Sequence, residues 1–252
     1  MGKEPATASA AVGPLPDPQG WVRTRGLLVI AQETKYLRSV VSSLRTFVKN
    51  VVYDRVPNLL RRGPTTSRRV ALTFDDGPDD LTPKFLERLD ELGVPATFFL
   101  VGEFADRHPD LVREYVRHGH QVAGHGYDHT RFTKLSRREL LDQCTRTEQA
   151  LNGQITGRPW VRPPHGTLDP SSLFTLLTAG YTVAMWTIDS GDYHDKDPDS
   201  LAARCSPPNV SPGEVLLLHE SQQWTLDALP QIVANLQGAG YECVTMYDLF
   251  AA

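Results

Sequence analysis

The chain predicts an α/β fold built on a parallel sheet. Two observations carry this. Short apolar runs alternate with amphipathic stretches over residues 69–250, and Gly or Pro punctuates most of the junctions between them. A third observation orients the fold: Asp75 and Asp76 follow one apolar run, Asp189 follows another and His219 a third. In parallel α/β barrels the strand C-termini share one face, and active sites form there.

The elements follow in order. Residues 1–20 are rich in Pro, Ala and Gly and predict a tail. Over 35–62, Leu37, Val40, Val41, Leu44, Val48, Val51 and Val52 recur at steps of three and four, with Lys35, Arg38, Arg45 and Lys49 interleaved. That spacing predicts one or two basic amphipathic helices, ended or kinked at Pro57. Such a segment packs on its own domain, lies on a membrane surface or docks on an acidic carrier protein. Gly63 to Ser67 breaks the chain, so the expected organisation is an extension over 1–68 and an α/β domain over 69–252.

Within the domain, Val70 to Phe74 predicts a strand, and Pro83 to Leu92 a helix closed by Gly93. Ala96 to Val101 is a strand, Asp110 to His118 a helix, Gln121 to Ala123 a short strand, and Ser136 to Leu151 a helix. Trp160-Val161 is extended, Ser171 to Ala179 helical, and Tyr181 to Ile188 one long strand. Val215 to Leu218, Leu226 to Gln237 and Tyr241 to Thr245 complete the alternation as strand, helix and strand.

A chain of 252 residues, 40% hydrophobic and 22% charged, can bury a core without disulfides. The three cysteines, Cys144, Cys205 and Cys243, are widely spaced and odd in number, which argues for buried thiols and weakly for a reducing compartment. No secretory leader and no span of ~20 apolar residues is visible, so a cytoplasmic, at most membrane-associated, protein is expected. The net charge of −4 is uneven: residues 1–68 hold 11 Lys/Arg against 4 Asp/Glu, leaving 15 against 26 for the rest. The basic segment beside an acidic body implies attraction within the molecule or toward an anionic surface. No nucleic-acid partner is expected.

Three side chains suggest a metal centre. His125 and His129 are four apart, a spacing that would place both on one face of a helical turn, and Asp76 can add a carboxylate. Three protein ligands with an open position are how a catalytic ion holds a water. Asp75, beside a ligand, suits a proton acceptor. His219, at the tip of Val215 to Leu218, suits the acid that an amide's departing nitrogen needs, and a carboxylate such as Asp189 would raise its pKa. An isolated HxxxH is a weak signal, and each of these residues alone has a plain structural reading.

In sequence, Thr73-Phe74-Asp75-Asp76-Gly77-Pro78, His125 to His129, Arg162-Pro163-Pro164-His165-Gly166, Asp189-Ser190-Gly191-Asp192-Tyr193 and Leu217-Leu218-His219-Glu220 resemble, in the same order, the five motifs of the NodB-like polysaccharide deacetylases, carbohydrate esterase family four. The resemblance implies a distorted (β/α)7 barrel, here with an N-terminal helical extension. It implies a metal held by Asp76, His125 and His129, Zn²⁺ first and Co²⁺ or Ni²⁺ as alternatives. Asp75 would be the general base, placed by Arg162. His219 would be the general acid, tuned by Asp189, and the backbone N–H of His165 an oxyanion donor. Tyr193 and Leu217 would wall the acetyl pocket, and Trp224 is a further candidate for substrate contact. The expected reaction removes acetyl from an N-acetylated sugar. A non-sugar amide, an O-acetyl ester and a non-catalytic barrel stay open as alternatives. Where the family commonly has Ser or Thr after the first motif-two His, this chain has Gly126. His165 replaces a usual Tyr, and Tyr193 a more frequent Trp. These departures bear on substrate more than on chemistry.

Overall fold

Nine parallel strands and eight α-helices alternate along the residues that the computed structural model describes, 55–155 and 157–251. In chain order they are β1 (Leu59–Leu60), β2 (Arg69–Asp75), α1 (Thr82–Leu92), β3 (Thr97–Leu100), α2 (Gly102–Arg107), α3 (Pro109–Arg117), β4 (Gln121–Gly124) and α4 (Arg137–Ala150). There follow β5 (Trp160–Val161), α5 (Pro170–Thr178), β6 (Thr182–Ala184), β7 (Ile188–Asp189), α6 (Pro198–Arg204), β8 (Val215–His219), α7 (Gln223–Gly238), β9 (Glu242–Val244) and α8 (Met246–Phe250). Local chemistry sets the ends. Gly93 closes α1 in the left-handed region at φ 65°. Ser136 and Glu139 form a reciprocal capping box that opens α4.

The sheet runs β1-β6-β5-β4-β3-β2-β8-β7, with β9 joined to the start of β2. The expected single strand over 181–188 is instead two short ones. Its first half pairs with β5 and its second half with β8, so this one segment closes the ring of pairings. The result is the curled parallel barrel that the motifs implied.

Strand alternation sorts the side chains. On β2, Val70, Leu72 and Phe74 face the helices and join the main core with Phe85, Phe98 and Leu229. Phe74 stacks on Phe98 at 5.0 Å. Ala71 faces the barrel interior with Phe99, Ala123, Ala184 and Val215. Alanine from three strands leaves room there for one large polar side chain. The three cysteines are free and buried, as expected.

Two expectations change. Leu59–Leu60 lies within the stretch assigned to the extension and to a helix ending near residue 62, yet it is a strand paired with β6, and Arg62 bridges to Glu214. Leu59 is buried, so the sheet reaches back before residue 69. Three of the helices, α2, α6 and α8, have no counterpart in the sequence prediction; all are too short to show a full amphipathic period. The helical reading of residues 35–54 lies outside the described residues. Among those described, no helix is long and apolar enough to cross a membrane.

Candidate active site

The two faces of β2 and β8 alternate in step. Thr73 and Asp75 continue the inward row begun by Ala71, and Leu217 and His219 continue that of Val215. The inward residues at the strand C-termini are therefore carboxylate and imidazole, and they open into a cavity of about 450 Å³. Asp75, Asp76, His125 and His129 line it, together with Leu217, His219 and Tyr193.

Asp76, His125 and His129 bring one donor atom each within 4.8 Å of one another. Asp76 Oδ1 lies 3.6 Å from His125 Nε2 and 3.2 Å from His129 Nε2. That oxygen is buried and accepts no hydrogen bond among the described residues, a costly state for a carboxylate that a cation would relieve. His125 Nδ1 donates to the carbonyl of Arg162 at 2.9 Å, which leaves Nε2 as the free lone pair. Burial pulls the His125 pKa down to about 3, so the ring is neutral, as a ligand must be. The trio fits a divalent cation.

The two histidines do not share a helical turn, as their spacing suggested. They sit on a loop after β4 in which Gly126 has φ 76° and His129 φ 60°. Asp76 and His165 also hold positive φ, at 74° and 58°. Backbone strain of this kind costs of order 1–3 kcal/mol per residue and collects at functional sites. Gly126 is where the family's Ser or Thr is missing, and the structure gives a reason. A Cβ there would lie 3.1 Å from Pro164 and 3.3 Å from Phe132, on a backbone that side chains disfavour.

Arg162 fills the barrel interior and is fully buried. Its Nη1 donates to Asp75 Oδ1 at 2.7 Å and to Thr73 Oγ1 at 2.9 Å, and its guanidinium carbon lies 3.9 Å from the centre of the Phe99 ring. Burial raises the Asp75 carboxyl above its usual range, while Arg162 and the nearby histidines oppose the shift. Thr73 was not singled out from the sequence; its signal was its place two residues before Asp75 on one strand face.

His219 and Asp189 do not pair. The His219 partner is Asp192, fully buried, whose Oδ1 accepts from Nδ1 at 2.6 Å. Its Oδ2 accepts from the His219 backbone N–H at 2.7 Å and from Thr225 Oγ1 at 2.8 Å. Burial alone would lower the His219 pKa. The hydrogen bond and charge of Asp192, with Asp75 and Asp76 behind it, outweigh that and raise it to about 9. Asp189 is exposed, and its side chain accepts from the Gly191 N–H at 2.9 Å, turning the loop so that Asp192 points inward.

Trp224 lies outside the cavity wall. Its Nε1 donates to the Asp192 carbonyl at 2.7 Å, which braces that loop. Tyr193 is exposed at the rim with its ring edge-on to His219 at 5.8 Å, and Leu217 lies buried in the wall. His165 stands at the mouth, 4.4 Å from the His129 ring, with its pKa lowered by burial and by the charges of His129 and Arg131. Trp186, Arg131 and Gln222 complete the wall and were not foreseen. Trp186 was hidden because its apolar neighbours made it look like core.

The comparisons with known proteins bear on this site and its scaffold together. Residues 62–184 match the family described as polysaccharide deacetylase. The chain is 34% identical over 194 residues to a peptidoglycan-N-acetylglucosamine deacetylase of Bacillus cereus, covering 75% of this chain and 70% of that protein. It is 33% identical to a chitooligosaccharide deacetylase of Sinorhizobium fredii, covering 71% of this chain and 91% of that protein. Among solved structures, the Bc1960 peptidoglycan N-acetylglucosamine deacetylase in complex with 4-naphthalen-1-yl-N-oxidanyl-benzamide superposes with a TM-score of 0.71 at 33% identity, covering 76% of this chain and 92% of that one. With a third of its residues shared along most of the length of such proteins, and the same barrel beneath them, this chain belongs to the polysaccharide deacetylase family.

Proposed function

We propose that this protein is a hydrolase that removes the acetyl group from an N-acetylated sugar, releasing acetate and a free amine, and that it uses a divalent cation, Zn²⁺ first, held by Asp76, His125 and His129. The observation that carries the reading is a single cavity lined by the candidate ligand trio, by Asp75, which Arg162 holds from behind, and by His219, which Asp192 holds. A cation at the trio would supply Lewis acidity, lowering the pKa of a water and polarising the acetyl carbonyl. His₂-carboxylate donors suit Zn²⁺ and also Co²⁺ or Ni²⁺.

The protein's own groups divide the proton work. Asp75, held by Arg162 Nη1, takes a proton from the attacking water. Burial raises Asp75 toward the range where a carboxylate becomes an effective base. His219, kept protonated by Asp192, gives a proton to the departing nitrogen, which leaves poorly as an anion. The backbone N–H of His165 offers a donor to the oxygen on which charge develops. Leu217 and Tyr193 flank the space for the methyl group. The relatives named above act on peptidoglycan N-acetylglucosamine and on chitooligosaccharides, which supports an N-acetylated glycan as substrate here.

The experiment is acetate release from N-acetylglucosamine oligomers by the purified full chain, with and without chelator, followed by Zn²⁺ add-back. Chelator-sensitive release supports the reading. Release from simple N-acetyl amines alone would move the enzyme off sugars. No release from any substrate by metal-loaded protein would overturn it.

A further inference from the structure

Arg131 lines the same cavity, and the reaction above gives its charge no task. Its position is fixed from both sides. It follows His129 by two residues, and Phe132, next in the chain, is fully buried. Arg131 is half-buried, and among the described residues its side chain makes no hydrogen bond or ion pair. The cavity's carboxylates are otherwise engaged. Asp75 is paired with Arg162, Asp76 faces the two imidazoles, and Asp189 accepts the Gly191 N–H. An unpaired cation held partly out of water gains most from a bound anion.

We propose that Arg131 receives an anionic substituent of the substrate, a carboxylate or a phosphate carried on the N-acetylated sugar or on the sugar next to it. The proposal rests on the deacetylase reading and narrows its substrate class from N-acetylated glycans in general to acidic ones. The planar guanidinium matches either group through two parallel N–H donors. Its place two residues after His129, in the lining of the same cavity, sets the anion close to the acetamido group under attack. Arg131 is then a specificity residue and takes no proton.

The test compares kcat/KM of the Zn²⁺-loaded full chain on three probes. These are a neutral N-acetylglucosamine tetramer, a peptidoglycan disaccharide with a free lactyl carboxylate, and a phosphorylated N-acetylglucosamine oligomer. Wild type, R131Q and R131K are measured at low and high salt. The expected result is a wild-type preference for one acidic probe, which also tells carboxylate from phosphate. That preference, taken as the ratio to the neutral probe, falls by about tenfold or more in R131Q, mainly through KM, since a charge-assisted pair is worth roughly 1.5–3 kcal/mol and 1.4 is tenfold. R131K restores part of it, and roughly 0.5 M salt narrows it in the wild type. A ratio that R131Q leaves unchanged, or a wild type that prefers the neutral tetramer, overturns the proposal while the deacetylase reading stands. Failure of the wild type on all three probes removes the deacetylase reading, and this inference with it.

Discussion

Asp75 and His219 are register partners on the parallel strands β2 and β8. Both are the last residues of their strands and both face the barrel interior, so one backbone pairing sets the proposed base beside the proposed acid. Adjacent strands lie ~4.8 Å apart, a spacing that flanks a small reacting group from two sides. Thr73 adds to the pairing: its hydroxyl donates to the Leu216 carbonyl at 2.6 Å while accepting from Arg162.

From this pairing, Asp75→Asn removes the proton acceptor and leaves the ligand trio. We expect kcat for acetate release to fall by roughly 10²–10⁴, with Zn²⁺ binding retained in equilibrium dialysis. Near-normal turnover would exclude Asp75 as the base.

The pH profile should carry a signature of Asp192. His219 has its folded pKa raised from 6.5 to about 9, so it is protonated below that value and activity declines as pH rises through it. The same sign holds for stability: the His219–Asp192 contribution is complete below about pH 6.5 and is lost as pH rises through about 9. Asp192→Asn should move the alkaline limb of kcat/KM to lower pH by a unit or more, where one unit is about 1.4 kcal/mol. Asp189→Asn should leave that limb in place. The opposite pattern would restore Asp189 as the partner.

Metal loading should be visible without turnover. A cation that binds only the folded chain stabilises it by about 2.7 kcal/mol at a hundred times its Kd. Thermal melts of the apo protein should therefore rise on Zn²⁺ addition. His129→Ala should abolish most of that rise, while melting near the apo wild type. An unchanged response in that variant would move the ion elsewhere.

Gly126→Ser, which restores the family's common residue, should destabilise this chain by about 1–2 kcal/mol, the cost of a side chain in the left-handed region. The contact of 3.1 Å with Pro164 adds to it. The readout is the urea midpoint. An unaltered or raised midpoint would mean that the loop relaxes freely around the hydroxyl.

Residues 69–250 announced the strand and helix alternation, and the five motifs announced the barrel, the candidate ligand trio and the proposed Asp75, Arg162 and His219 set. These are local signals: strand period decides which side chains share a face, and strand end decides which face carries the site. The sequence by itself determined that much. The tertiary structure alone decided that His219 pairs with Asp192 and not Asp189, because both acids stand in one motif and only the turn at Gly191, with φ 70°, selects the one that points inward. It also decided that Trp224 braces the Asp192 carbonyl, that Trp186 and Arg131 reach the cavity, and that the sheet extends back to Leu59. The physical reason is common to all four. Loop direction and long-range pairing depend on how distant segments pack, and no pattern in neighbouring residues encodes that.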